Sequence, residues 1–323
     1  MSTTLETSVS RNECREILDE FFLGVSFEIN HDPDPSLEKF LIDSCLSHGV
    51  TKETAVKLAK LGAALAKQYY PLHSPDLQRL IGLYTSYFFL VDDLGPEFLD
   101  DIRNFGRNAT RGMPQNPFLK SFAALLPNLD QYYPGLCSSR FTTGLIHYMD
   151  FCALEIETTG KFLHLPTSKG FPVYFRRTTG LPESWTFFTL TNDIWSEENM
   201  NLFLQATPDM IDFTNAVNDL LSYYKESTIS DERNTYIYHR ALADEIPVSE
   251  VLRCLVTEIH NYIDNIKTTV SDSPTLLEVV DRYLGGLIQF HVMQPRYKLC
   301  ELEIPSLMEK MTQNGQMSRP SNN

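Results

Sequence analysis

Two stretches carry residue types spaced for chemistry. In Asn218-Asp219-Leu220-Leu221-Ser222-Tyr223-Tyr224-Lys225-Glu226, an amide, a hydroxyl and a carboxylate recur at every fourth residue. At 100° per residue, Asn218, Ser222 and Glu226 fall within about 80° of one another along roughly 12 Å of helix. Helical side chains lean toward the N-terminus, so Glu226, the longest, reaches back toward the two shorter ones. Three oxygen donors converging on one point suit a hard cation such as Mg²⁺ rather than zinc. Lys225 lies about 20° from Asn218 around the same helix, placed to meet the oxygens of an anionic ligand. Spacing alone leaves a solvated polar stripe as the other reading.

The second stretch, Phe88-Phe89-Leu90-Val91-Asp92-Asp93-Leu94-Gly95-Pro96-Glu97, puts two carboxylates at the end of the most apolar run of the chain. Burying a carboxylate against Phe and Val is costly unless a cation meets it, so Asp92 and Asp93 call for a metal or an arginine. A helix cap or a solvated acid is the alternative for Asp92. Gly95-Pro96 should end the helix, leaving Glu97 at the start of the next one, where complementing the helix dipole is its ordinary role. Two basic clusters, Tyr174-Phe175-Arg176-Arg177-Thr178-Thr179-Gly180 and Pro295-Arg296-Tyr297, read singly as surface arginines. Beside the acidic stretches they supply the forked donors that phosphate oxygens accept. His164 and His291 lie near these regions and read as lone structural histidines.

The elements that must hold these residues are helical. Ala55, Leu58, Ala59, Leu61 and Leu65, then Leu80, Tyr84 and Phe88, recur at three- and four-residue intervals. Breakers at Pro33 and Pro35, His48-Gly49, Pro71 to Pro75, Gly95-Pro96, Pro114 to Pro117, Pro134-Gly135, Pro166 to Pro172, Gly180 to Pro182 and Pro208 divide the chain into about ten to twelve helices. There is no hairpin signal, no repeat and no Ser/Gly-rich linker. The expectation is a single all-α domain over residues 13–310, with a loose tail at 1–12 and a polar, disordered one at 311–323.

Composition excludes more than it identifies. The 323 residues carry 27 Lys and Arg against 42 Asp and Glu, a net charge of −15, which argues against a nucleic-acid partner. The N-terminal residues do not read as a secretory signal and no run of 18 apolar residues is present, so no membrane insertion and a cytoplasmic protein are expected. Six scattered cysteines without a CxxC pair fit reduced thiols. GxGxxG, GxxxxGK[ST], HExxH and GxSxG are all absent, which removes the usual anchors of nucleotide, zinc-peptidase and serine-hydrolase chemistry.

Taken together, the four clusters resemble those of the class I terpene cyclases, and among them the fungal trichodiene synthase-like family. Asn218-Asp219-x-x-Ser222-x-x-Lys225-Glu226 is similar to the second metal motif of that family, and Asp92-Asp93 after aromatics to its aspartate-rich motif. Arg176 stands 42 residues before Asn218 and Arg296-Tyr297 stands 78 after it, close to the family's diphosphate-sensing arginine and Arg-Tyr pair. The resemblance spans about residues 80 to 300. It implies a class I terpenoid synthase α-helical bundle around an apolar active-site cavity, a cytoplasmic lyase that acts on an isoprenyl diphosphate, and three Mg²⁺ ions per site. It makes Asp92 a bridging Mg²⁺ ligand and Asn218, Ser222 and Glu226 the ligands of another. Asp93 would pair with Arg296 on closure, and Arg176, Lys225, Arg296 and Tyr297 would grip the diphosphate.

Glu157, in Leu154-Glu155-Ile156-Glu157, resembles an extra acidic ligand, while Glu97 falls one residue beyond the commoner spacing. Gln294-Pro295 stands where relatives often carry acidic and basic residues. Farnesyl diphosphate is the substrate the resemblance favours, cyclised as a carbocation in a pocket that excludes water. Phe88 and Tyr84, one and two turns before Asp92, could face that cation with their ring quadrupoles, with Phe89, Tyr223, Trp185 and Phe188 as further aromatics. Closure should order residues 226–234. A chain-elongating prenyltransferase and a non-catalytic helical binding protein are the competing readings. Relatives of this kind are often homodimers.

Overall fold

Helix starts coincide with the capping residues. The computed structural model describes residues 8–29, 33–159 and 167–313. Ser10, Asp34, Thr51, Ser74, Asn116, Ser196 and Ser273 each accept a hydrogen bond from an amide two or three residues on. Pro35, Pro75, Pro117 and Pro274 occupy first-turn positions where a missing N–H costs nothing. The helices are α1 (Arg11–Gly24), α2 (Pro35–Leu46), α3 (Lys52–Tyr69), α4 (Pro75–Leu94), α5 (Leu99–Arg111), α6 (Pro117–Ala123), α7 (Leu126–Leu129) and α8 (Gly135–Thr158). They continue as α9 (Phe171–Thr179), α10 (Pro182–Phe187), α11 (Glu197–Tyr223), α12 (Tyr236–Asp244), α13 (Val248–Thr269), α14 (Pro274–Met293) and α15 (Pro305–Gln313). There is no strand among the described residues.

The all-α expectation holds, with more and shorter helices than the breakers predict. Pro208 ends nothing: it lies inside α11. Pro208 and Leu204, whose carbonyl it leaves without a partner in the helix ladder, are both exposed, so water covers the lost bond while α10, α13 and α14 pack on the other faces. Gly95-Pro96 does end α4, but the chain runs on as a 3₁₀ turn over Gly95–Phe98, and Glu97 sits in that turn rather than at a helix start. Within the stretches expected as tails, Val9 is buried in the core, α1 begins at Arg11, and α15 reaches Gln313. Residues 1–7 and 314–323, with His164, lie outside the described residues.

One continuous buried cluster runs from Val9 to Leu307. Within it α3 packs between α4 and α14. The contacts are close because glycine stands at both crossings. A Cβ on Gly62 would come 2.4 Å from the Gly82 carbonyl oxygen, and one on Gly286 would come 1.9 Å from the Gln68 carbonyl oxygen. No described helix is long and apolar enough to cross a membrane, and all six cysteines are free thiols.

Candidate active site

The aspartates stand at the C-terminal end of α4, which Ser74 caps and Pro75 starts. One turn earlier, Phe88 and Phe89 meet edge to face at 5.2 Å and line a cavity of about 340 Å³. Asp92 is at its mouth with half of its side chain exposed, and Arg296 Nη2 lies 4.0 Å from its Oδ2. The Asp92 carboxyl is raised above the usual carboxylate range because neighbouring protein displaces its solvent; Asp93 and Glu226 add to this, while Arg296 and Lys225 oppose it. Asp93 is taken instead by α3, where Lys57 Nζ donates to its Oδ2 at 2.7 Å. The pairing of Asp93 with Arg296 expected on closure is not the one present here.

Arg296 leaves the end of α14 in a 3₁₀ turn, Pro295–Tyr297. Its guanidinium lies 4.9 Å over the Phe89 ring and 5.8 Å from the Tyr297 ring. Its Nη1 is buried and meets no hydrogen-bond partner among the described residues. A buried donor of this kind calls for an acceptor.

The opposite lip is built by α11 and the turn at its C-terminal end. After Tyr223 the helix widens into a π-turn, Tyr224–Ile229, in which Ser230 N–H reaches the Lys225 carbonyl five residues back. Ser222 Oγ donates to Glu226 Oε2 at 3.0 Å, and Lys225 Nζ donates to Oε1 at 3.2 Å. The segment expected to order on closure is already internally bonded: Glu232 N–H donates to the Glu226 carbonyl, and Arg233 Nη1 to that of Ser227.

Arg176, near the end of α9, is nearly buried between two neighbours on α11. Its Nε donates to both oxygens of Asp219, at 2.8 and 3.0 Å, and its Nη2 to Asn218 Oδ1 at 2.9 Å. Burial pushes the Asp219 carboxyl up to about 6, with Arg176 pulling it back down. Space for the guanidinium comes from Gly180, where a Cβ would lie 2.5 Å from Nη1. On the far side of Asn218, its Nδ2 donates to His291 Nε2 at 3.1 Å. Burial pushes His291 down to about 4, so the ring is neutral.

The cavity therefore brings Asp92, Asp93, Phe88, Arg176, Asn218, Lys225, Glu226, Arg296 and Tyr297 to one space, with Ser222 hydrogen-bonded to Glu226 behind the rim. Three expected residues are elsewhere. Tyr84 is fully buried, donates to Ser184 Oγ at 3.1 Å, and packs behind Trp185, which stands between it and Phe88. Glu97 is exposed and outside the cavity. Glu157 faces away and pairs with Arg103, whose Nε donates to it at 2.7 Å. Among the other aromatics, Phe89 and Trp185 line the cavity, whereas Phe188 and Tyr223 belong to the core.

The acid of that α8 stretch that senses the site is Glu155. Burial pushes its carboxyl up to about 7; Arg176 lowers it, and Asp92, Glu232 and Glu226 raise it. Helical phase identifies it: Tyr148 and Cys152 face the core, and Glu155 comes seven and three residues after them, while Glu157 is about 200° away from Glu155. Lys57 and Glu232 left no motif to read.

The fold is that of the terpene synthases. A linalool/nerolidol synthase from Streptomyces clavuligerus superposes with a TM-score of 0.60 at 13% identity, over 83% of this chain and 97% of that one. The trichodiene synthase (TRI5) family model matches residues 69–314, so the chain belongs to the trichodiene synthase family and is a terpene synthase. Relatives include an (E)-beta farnesene synthase of Metarhizium brunneum, 27% identical over 94% of each chain. An alpha-cuprenene synthase of Coprinopsis cinerea is 24% identical, also over 94% of each.

Proposed function

We propose that the chain is a Mg²⁺-dependent sesquiterpene cyclase that ionises farnesyl diphosphate at this cavity and cyclises the resulting carbocation. The observation that carries the reading is the arrangement of the mouth: an aspartate lip faces one space with Asn218 and Glu226, Ser222 is hydrogen-bonded to Glu226 behind them, and Arg176, Lys225 and Arg296 line the same space.

The donor set fits a hard cation. Among the described residues no three His, Cys, Asp or Glu side chains form a metal cluster on their own. The stripe adds the Asn218 and Ser222 oxygens to the Glu226 carboxylate, an all-oxygen set, and Ser222 Oγ stands 3.0 Å from Glu226 Oε2. Asn218, Ser222 and Glu226 would hold one ion and Asp92 another. When bound, magnesium supplies positive charge that offsets the charge developing on the departing diphosphate.

The chain's own residues do the rest. Arg296 Nη1 offers an unused donor to a diphosphate oxygen, and Arg176 and Lys225 exchange Asn218 and Glu226 for the same oxygens. Leu65, Tyr69, Phe88, Phe89, Trp185 and Phe290 present an apolar and aromatic surface beneath the mouth. That surface excludes water from the cation, and its ring faces stabilise positive carbon.

Incubation with farnesyl diphosphate and Mg²⁺, and then gas chromatography and mass spectrometry of the products, tests the reading. The expected result is a cyclic C15 hydrocarbon or alcohol, reduced at least about 100-fold by Asn218→Ala combined with Glu226→Ala. Unchanged turnover in the double variant rules out the metal site. A longer prenyl diphosphate formed with isopentenyl diphosphate, and no volatile product, overturns the cyclase reading.

A further inference from the structure

We infer that His291 is a positioning residue for Asn218: an imidazole nitrogen that accepts a hydrogen bond fixes which end of the amide presents oxygen to the cavity. The inference rests on the metal reading above and adds to it a residue that lone-histidine reasoning passes over.

His291 is buried on α14, with its ring 4.5 Å from that of Tyr297. Its Nδ1 lies 2.8 Å from the Leu287 carbonyl oxygen, one turn back on the same helix. A carbonyl only accepts, so Nδ1 carries the proton, and Nε2 is left as an acceptor facing Asn218 Nδ2 at 3.1 Å. From the opposite side, Arg176 Nη2 stands 2.9 Å from Asn218 Oδ1, and a guanidinium has nothing but donors. Two constraints from different helices, α9 and α14, orient the amide the same way. The flipped amide would set N–H against the guanidinium and oxygen against the Nε2 lone pair.

The two constraints differ in duration. Arg176 lines the cavity and turns to the diphosphate in the proposed function, and at that moment its hold on Asn218 is lost. His291 is fixed by its own backbone bond and by Tyr297, and stays. Chemistry explains why Asn218 needs this and Glu226 does not. A carboxylate offers oxygen at either end, whereas an amide facing the wrong way offers no ligand at all.

Mn²⁺ binding by the purified full chain with inorganic pyrophosphate, monitored by electron paramagnetic resonance and paired with thermal melting without metal, tests this. His291→Phe keeps the ring and removes the acceptor, and is expected to weaken Mn²⁺ binding about tenfold or more. His291→Gln, whose Oε1 accepts, is expected to recover binding to within about threefold. In an Asn218→Asp background the two oxygens are equivalent, and His291→Phe is expected to change binding less than about twofold. If His291→Phe does not fold, His291→Leu replaces it, since it also lacks an acceptor. Wild-type Mn²⁺ affinity in His291→Phe, or equal weakening in Phe and Gln variants in step with lost melting temperature, overturns the inference while leaving the metal site standing. Failure of the wild-type chain to bind Mn²⁺ overturns the metal reading and this inference with it.

Discussion

Arg176 and Asp219 show how a motif residue acts without entering the cavity. Asp219 is 100° around α11 from Asn218, so it faces α9 and receives both hydrogen bonds of Arg176 Nε. Removing one member of a buried ion pair leaves the other charge uncompensated, which costs several kcal/mol. Asp219→Ala is therefore expected to lower stability by about 3 kcal/mol in urea titration, although the residue is outside the cavity lining. A loss under about 1 kcal/mol would show that Arg176 finds solvent or another partner at no cost. At this scale the sequence was legible where spacing along one helix decides, as for Asn218, Ser222 and Glu226. It failed where two helices must meet. Lys57 reaches Asp93 across 36 residues of chain, and nothing in either segment announces the other. Tyr84 shares a helix face with Phe88, yet Trp185 from α10 stands between it and the cavity. Glu155 and Glu157 could have been separated in advance by the phase of Tyr148 and Cys152.

α3 packs against α4 and α14 through crossings that leave no room for a side chain. Gly286 of α14 lies against the backbone of α3, where a Cβ would meet the Gln68 carbonyl oxygen at 1.9 Å and its carbon at 2.6 Å. Gly285, its neighbour, faces Phe27 at 3.8 Å, an ordinary contact. The adjacent substitutions should separate cleanly. Gly286→Ala is expected to cost about 3 kcal/mol by forcing α14 from α3 and to reduce turnover by shifting Phe290 and His291. Gly285→Ala is expected to be neutral or to stabilise by up to about 1 kcal/mol through helix propensity. Equal effects in chemical denaturation would mean that the crossing yields freely. Caps and first-turn prolines made helix starts readable, but Pro208 and the π-turn after Tyr223 were not. Both depend on what packs around α11, and a proline on an exposed face or a widened turn beside a ligand carries no signature in its own segment.

For the whole molecule, the charge of −15 sets the long-range field, and it repels a diphosphate. That field is screened within about 10 Å in ordinary salt, so the groups at the mouth decide binding. Composition revealed the sign of the field but not that Arg176, Lys225 and Arg296 share one cavity, which only the folded chain establishes. Three of the proposed ligands already have a cationic neighbour: Arg176 on Asn218, Lys225 on Glu226, and Arg296 at 4.0 Å from Asp92. Under the proposed function, two binding events would thereby be joined thermodynamically. A metal must displace these side chains from the oxygens, and the side chains so displaced are the ones an anion recruits. Each ligand prepares the protein for the other, by a coupling energy that is the same in both directions. Pyrophosphate should tighten Mn²⁺ binding by the same factor by which Mn²⁺ tightens pyrophosphate binding, about 5- to 150-fold once the complex formed in free solution is subtracted. Titrations in both orders measure that factor, and a value of one would mean that the cavity registers its two charges independently. With coupling of this size the site would work as a coincidence detector, committing to neither ion alone and reserving its basic groups for a diphosphate that arrives with metal.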